Sequence, residues 1–165
     1  MKNFSSKLSA SQQAERLLPP QRRVKAVLDT DAYNEIDDQF AILYAMLSPE
    51  KIDLQAIYAA LFYNGRSSSP ADGMEKSYQE ILKICGLTGR DPEGFVFRGC
   101  RAPLEGPELP QESEAVNDLI RKARQASPDD PLYVIGIGAC TNIASAILKC
   151  PEIIENLVVV WLGGN

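Results

Sequence analysis

Five short apolar runs, separated by stretches too long for hairpins, constrain what this chain can fold into more than any other feature. Val24 to Leu28, Leu54 to Ala60, the shorter Phe95 to Phe97, Leu132 to Ile137 and Leu157 to Leu162 have the length and unbroken apolarity of buried strands. Between them, apolar residues recur at helical spacing. Phe40, Leu43, Tyr44 and Leu47 predict a helix with one buried face, closed by Ser48-Pro49. Tyr78, Ile81, Leu82 and Cys85 predict a second, with Gly86 as its stop, and Val116, Leu119, Ile120 and Ala123 a third. Thr141 to Leu148 predicts a fourth, with Thr141 as N-cap. Strands alternating with helices imply right-handed βαβ units. The expected class is therefore α/β, doubly wound, with a mainly parallel sheet and helices on both faces.

A polar leader, residues 1–23, ends just after Pro19-Pro20, and residues 24–165 read as one domain. The Pro- and Gly-rich stretches Pro103 to Pro110 and Ser67 to Gly73 are loops, not boundaries. A hydrophobic content of 45% in 165 residues suits a globular core and speaks against disorder. Seventeen basic residues against twenty-two acidic ones, with no basic run, make nucleic acid an unexpected partner. The leader has no apolar h-region and no segment approaches a membrane-spanning length, so no membrane partner is expected. Cys85, Cys100, Cys140 and Cys150 form no C-x-x-C pair, which suits reduced thiols and a cytoplasmic location. Histidine is absent, which removes Ser-His-Asp, Cys-His and His-ligated metal chemistry. Catalysis would have to rest on carboxylates, amides or hydroxyls.

Such groups are concentrated from Asp29 to Asp38, where four aspartates and Glu35 fall at the handover from the first strand to its helix. That is the ligand-binding end of a parallel sheet. Crowded carboxylates raise one another's pKa, and a donor set made only of oxygen favours a hard cation such as calcium or magnesium. A plainer reading has Asp37 and Asp38 complementing the dipole of a helix first turn while Asp29 and Asp31 face water. Asp29-x-Asp31 after a first strand also suits a magnesium-dependent phosphohydrolase with an aspartyl nucleophile.

Val27-Leu28-Asp29-Thr30-Asp31, followed by Asp37-Asp38 and Phe40-Ala41-Ile42, resembles the inosine-uridine preferring nucleoside hydrolase family, whose pattern is Asp-x-Asp-Pro-Gly-x-Asp-Asp. Co-linear matches extend the likeness: Ala56-Ile57 leading to Asn64, Gly86-Leu87-Thr88-Gly89, Gly99-Cys100 before Pro103-Leu104, Thr141-Asn142-Ile143-Ala144, and Leu162-Gly163-Gly164. The chain departs from the pattern by carrying Ala32-Tyr33-Asn34-Glu35-Ile36 where the family has Pro-Gly-x, two residues more. The resemblance implies hydrolysis of a ribonucleoside to ribose and free base with a calcium-bound water. It implies that Asp31 and Asp38 bind calcium, that Asp31 also activates the water, and that Asp37 and Asn64 contact ribose. Asp29 would support the cluster from behind, and the backbone carbonyl of Ile137 would be a further calcium ligand.

Carboxylates near the sugar would stabilise an oxocarbenium-like transition state, while the acid for the departing base stays unassigned without a histidine. Calcium takes about six to eight oxygens, more than these residues supply, and the family's later Asn, Glu and Asp motifs have no counterpart before Asn165. A non-catalytic sugar- or metal-binding module is therefore the competing reading, and little activity is expected of these 165 residues alone. Base preference and subunit number stay open, a homo-oligomer included. The lengthened loop should bring Tyr33 and Glu35 to the pocket mouth, whereas Asn64 with Arg66-Ser67-Ser68-Ser69 also reads as a solvated loop. Gly136 and Gly138 lack the full G-x-G-x-x-G spacing and suit close strand–helix packing instead.

Overall fold

A computed structural model describes residue 4 and residues 6–163. A short helix, α1 (Ala10–Arg16), precedes strand β1 (Val24–Thr30), helix α2 (Asp37–Met46) and strand β2 (Ile52–Ala59). Helix α3 (Pro70–Thr88), strand β3 (Val96–Arg98), helix α4 (Glu114–Gln125) and strand β4 (Leu132–Gly136) follow. Helix α5 (Thr141–Lys149), a 3-10 turn (Pro151–Asn156) and strand β5 (Leu157–Trp161) complete the order. The strands form one parallel sheet in the order β3-β2-β1-β4-β5. The doubly wound α/β expectation is met.

That order makes β1 central and sends the chain outward to β3 on one side, then back to β4 and β5 on the other. The reversal between β1 and β4 opens a crevice at the carboxyl ends of these two strands, where parallel sheets bind ligands. Asp29 stands opposite Tyr58 on β2 and Gly136 on β4. Asp29 and Tyr58 share a face with α4 and α5: the Tyr58 hydroxyl donates to Asp118 of α4 at 2.9 Å. Thr30 points the other way, to Asp38 of α2. β1 is buried on both faces, as the centre of such a sheet must be.

Local chemistry starts and stops the helices where the chain turns. Ser69 and Ser113 cap α3 and α4 by accepting from the Asp72 and Val116 amides, both at 3.1 Å. Gly86 does not end α3. The helix runs to Thr88 and closes on Gly89, whose φ of 69° is the left-handed conformation that glycine adopts without a Cβ clash. Thr141 is the first residue of α5 and not its cap; Cys140 holds the cap position without a side-chain bond. The first strand runs through Asp29 to Thr30, so Asp29 is a strand residue. β5 is the edge of the described sheet, with Val159, Val160 and Trp161 about half exposed. Of the matching terminal residues Leu162-Gly163-Gly164, Gly164 lies outside the described residues, as do the first three residues of the leader.

The apolar stripes of α3 and α4 face the core as expected, with Ile81, Cys85, Val116, Leu119, Ile120 and Ala123 buried. Helix α2 differs. It buries Asp38, Ile42 and Ala45 and exposes Phe40, Tyr44 and Leu47, each by two thirds or more. Only Leu43 of the expected stripe packs, partly, against the core. At 3.6 residues per turn, Phe40 lies roughly 200° round from Asp38. Once Asp38 turns inward to Thr30, Phe40 has to turn out. Helix α2 carries apolar residues on two faces, and a polar contact selects which is buried.

This rotation predicts unequal costs on one helix. Ile42→Ala should destabilise the chain by about 2–5 kcal/mol, and Phe40→Ala by no more than about 0.5 kcal/mol, in urea unfolding. Equal or reversed costs would mean that α2 is turned the other way.

Candidate active site

Three carboxylates gather at the β1–β4 crevice. Asp29, Asp31 and Asp38 are all buried, with Asp29 only 1% exposed. β1 carries Asp29 inside the sheet, the loop after β1 carries Asp31, and the first turn of α2 carries Asp38. Burial pushes the Asp29 carboxyl up to about 8; the Asn142 amide opposes the shift and the Asp31 charge adds to it. Asn142 spends its hydrogen bonds elsewhere, donating to the Ala59 carbonyl at 3.3 Å and accepting from the Cys100 amide at 2.7 Å. Neither Asp29 oxygen makes a hydrogen bond of normal geometry, although the Asn142 amide, with a second N–H, lies near enough to oppose the shift.

Burial likewise raises Asp38, to about 6, against the hydrogen bond from Thr30 Oγ1 and with help from the charges of Asp31, Asp37 and Glu35. Asp31 is raised by burial too, opposed by the Asn34 side chain, which donates to its Oδ2 at 2.9 Å. Its Oδ1 lies where a side chain on residue 138 would stand: a Cβ built on Gly138 would come within 2.6 Å of it. Gly138 is glycine because the Asp31 carboxylate occupies that space. At Gly136 a Cβ would meet Ile143 of α5 at 2.9 Å, the close strand–helix packing expected there. The amide of Ile137, between these glycines, donates to the Asp29 carbonyl at 2.9 Å and ties the β4 exit to β1.

The other expected residues are less enclosed. Asp37 is exposed beside Asp38. Asn64 is exposed in the loop after β2, yet it donates to Asn34 Oδ1 at 2.6 Å, so it is drawn to the loop that carries Asp31. Tyr33 stacks on Phe62 with ring centroids 6.4 Å apart, and Lys76 Nζ lies 5.8 Å from its ring. It lines a groove with Gln39, Arg66, Glu80 and Lys83. Sequence reasoning passed over Asn34, which joins Asp31 to Asn64, and gave Asn142 no role beyond a family match; Asn142 is the buried amide that joins β2, the Cys100 loop and α5. Two hollows of about 710 Å³ lie elsewhere, one between α3 and α4 beside β3 and one beneath the leader; none of the three carboxylates lines either.

An oxygen-only donor set with unpartnered buried carboxylate atoms fits a hard cation. The fit is incomplete: among the described residues no three Asp, Glu, Cys or His side chains are grouped closely enough to hold a metal by themselves. Carbonyls, water or further ligands would have to contribute.

Raised carboxylate pKa values set a pH dependence. Asp29 and Asp38 hold protons more tightly folded than at the ordinary value of 3.8, so their contribution to stability is complete below that value. It is lost as pH rises through about 6 for Asp38 and about 8 for Asp29. The metal-free chain should lose stability across this window, and Asp29→Asn should flatten its upper part. A melting temperature independent of pH there would show that the cluster is not buried as described.

Comparison with known proteins agrees with the topology. The model of the family described as inosine-uridine preferring nucleoside hydrolase matches residues 26–165. Non-specific ribonucleoside hydrolase RihC of Escherichia coli (strain SMS-3-5 / SECEC) is 28% identical over 166 residues, covering 87% of this chain and 50% of the relative. RihC of Shigella flexneri matches to the same extent. The chain thus spans about half the length of the curated relatives it matches. Among solved structures, the effector protein XOO4466 superposes with a TM-score of 0.63 at 16% identity, covering 94% of this chain and 48% of that one. A nucleoside hydrolase-related hypothetical protein from Saccharophagus degradans, associated with carbohydrate metabolism, gives 0.59 at 16% identity over 84% and 38%. On the family match across most of its length, the chain belongs to the inosine-uridine preferring nucleoside hydrolase family.

Proposed function

We propose that this chain contributes the carboxylate half of a calcium-dependent ribonucleoside hydrolase site. The observation that carries the reading is the pair of unpartnered Asp29 oxygens directly behind Asp31, at the sheet's switch point. Asp31, Asp38 and the Ile137 carbonyl would hold calcium, which when bound supplies the positive charge that acidifies water and anchors ribose hydroxyls. Asp31 would take the proton of the attacking water, while Asp37 and Asn64 accept from and donate to the ribose hydroxyls. Asp29, lacking contact with solvent, would support the cluster from behind. Water oxygen bonds to the anomeric carbon as the bond to the base nitrogen breaks. No residue of this chain is assigned as the acid for the departing base, and none of its side chains is a histidine.

A sugar- or metal-binding module without turnover is the second reading, supported by the chain's span of about half the length of the relatives it matches. The aspartyl-phosphate alternative is not supported: its nucleophile would be Asp29, whose carboxylate has no access to a substrate. No helix among the described residues is long and apolar enough to cross a membrane.

Free ribose released from inosine and uridine in the presence of calcium, by a protein completed to the length of its relatives, is the test. Turnover that falls at least about a hundredfold in Asp31→Asn, together with weaker calcium binding in Asp38→Asn, is expected. Calcium binding without ribose release would favour the binding module. Unchanged calcium affinity and turnover in Asp38→Asn would remove Asp38 from the site.

A further inference from the structure

The stretch Ala32–Ile36, where the chain departs from its family's pattern, makes a defined set of bonds. The Asn34 amide nitrogen of the backbone donates to the Asp31 carbonyl at 2.7 Å, closing a tight turn on Asp31 itself. Its side-chain nitrogen donates to Asp31 Oδ2 at 2.9 Å, and its side-chain oxygen accepts from Asn64 Nδ2 at 2.6 Å. Its backbone carbonyl accepts from the Arg66 guanidinium at 2.6 Å. Within its own loop Arg66 donates its backbone amide to Asn64 Oδ1 at 2.9 Å, so the two residues that bond Asn34 are held together. Tyr33 presses on Phe62, which is 5% exposed, and fastens the same loop from the other side.

We propose that Asn34 is a positioning residue: the lengthened loop hooks it between Asp31 and the Asn64–Arg66 loop, fixing which Asp31 oxygen faces the site. Oδ2 is committed to the amide, and Oδ1 is the oxygen left to face the crevice at Gly138. A carboxylate whose second oxygen is held by an amide cannot rotate, so it meets a cation and a water in one geometry without losing side-chain entropy. Through Asn64 the same residue couples the metal side of the site to the ribose side, a role that a Pro-Gly turn, having no side-chain amide, could not perform. The inference rests on the calcium-dependent hydrolase reading above.

Calcium affinity measured by titration calorimetry on the chain and on Asn34→Ala, Arg66→Ala and the double variant is the experiment. Asn34→Ala should weaken calcium binding about tenfold or more, the range seen when a residue orienting a metal ligand is removed. Arg66→Ala, a change at an exposed side chain, should weaken it less and add nothing to Asn34→Ala, because its bond to the Asn34 carbonyl bears on Asp31 by placing the Asn34 side chain, which the second variant lacks. A general loss of packing would instead lower the melting temperature of the metal-free chain and leave the affinity ratio unchanged. Equal affinity in wild type and Asn34→Ala overturns the inference. Additive losses in the double variant also overturn it, since Arg66 would then act on its own. Calcium binding without ribose release in a protein completed to the length of its relatives defeats the hydrolase reading alone, and the affinity ratio still decides the role of Asn34. A wild-type chain that binds no calcium defeats both.

Discussion

Everything at the crevice depends on a carboxyl group that the fold buries without a hydrogen-bond partner. Asp29 sits in the middle strand, opposite Tyr58 and Gly136, with neither oxygen hydrogen-bonded. Leaving a charge in that state costs several kcal/mol unless the group is protonated or a cation arrives. The same molecule shows that this is not its general treatment of buried acids. Asp118, on the same side of the sheet, accepts from Tyr58, from Lys122 at 2.6 Å and from Arg121. Lys122 is itself buried beside Asp118, so that carboxylate meets a full set of donors. Where the fold needs a buried acid for structure it supplies the partner, and at Asp29 it does not.

The rest of the architecture serves this exception. Strand order reverses at β1 and β4, and the two exits are stitched by the Ile137 amide on the Asp29 carbonyl. Gly138 leaves room for Asp31, and Asn142 spans Ala59 and Cys100 so that three loop ends meet at one place. A Cβ at Gly99 would strike the Ala59 carbonyl at 2.0 Å and the Asn142 amide at 2.5 Å, which is why that loop can come so close. Helix α2 turns to bring Asp38 to Thr30 and accepts the exposure of Phe40 and Tyr44 as a consequence. A stripe of large apolar side chains facing solvent is unusual in an isolated domain. Here it follows from an electrostatic requirement at the helix's first turn.

Much of this was legible in the residues because periodicity and position are local properties. Strands flagged by unbroken apolar runs, and the stripes of α3 and α4, are where apolar spacing placed them, and the carboxylates lie at the strand ends that the alternation required. What was illegible depended on rotation and on distant partners. Two apolar faces on α2 give equivalent local patterns, and only the contact between Thr30 and Asp38 chooses between them. Gly86 reads as a helix stop, but its backbone stays helical and Gly89 takes the left-handed turn. Asn34 lies within an added segment, so no pattern assigned it a role, and its two long-range partners, Asn64 and Arg66, are defined only when the loops after β1 and β2 are folded together. A signal did exist: an Asn three residues after Asp31 in a tight turn has a side chain that can reach back to it.

The account's central claim is that these buried aspartates form a cation site at the sheet's switch point. Diffraction from crystals of the chain grown with calcium, or with terbium in its place, tests it most directly. The account predicts an anomalous peak about 2.3–2.6 Å from Asp31 Oδ1 and from a carboxylate oxygen of Asp38, with Asp29 behind them and no ligand to the ion. A peak confined to surface acids such as Asp129 and Asp130, with the crevice unchanged, would contradict it.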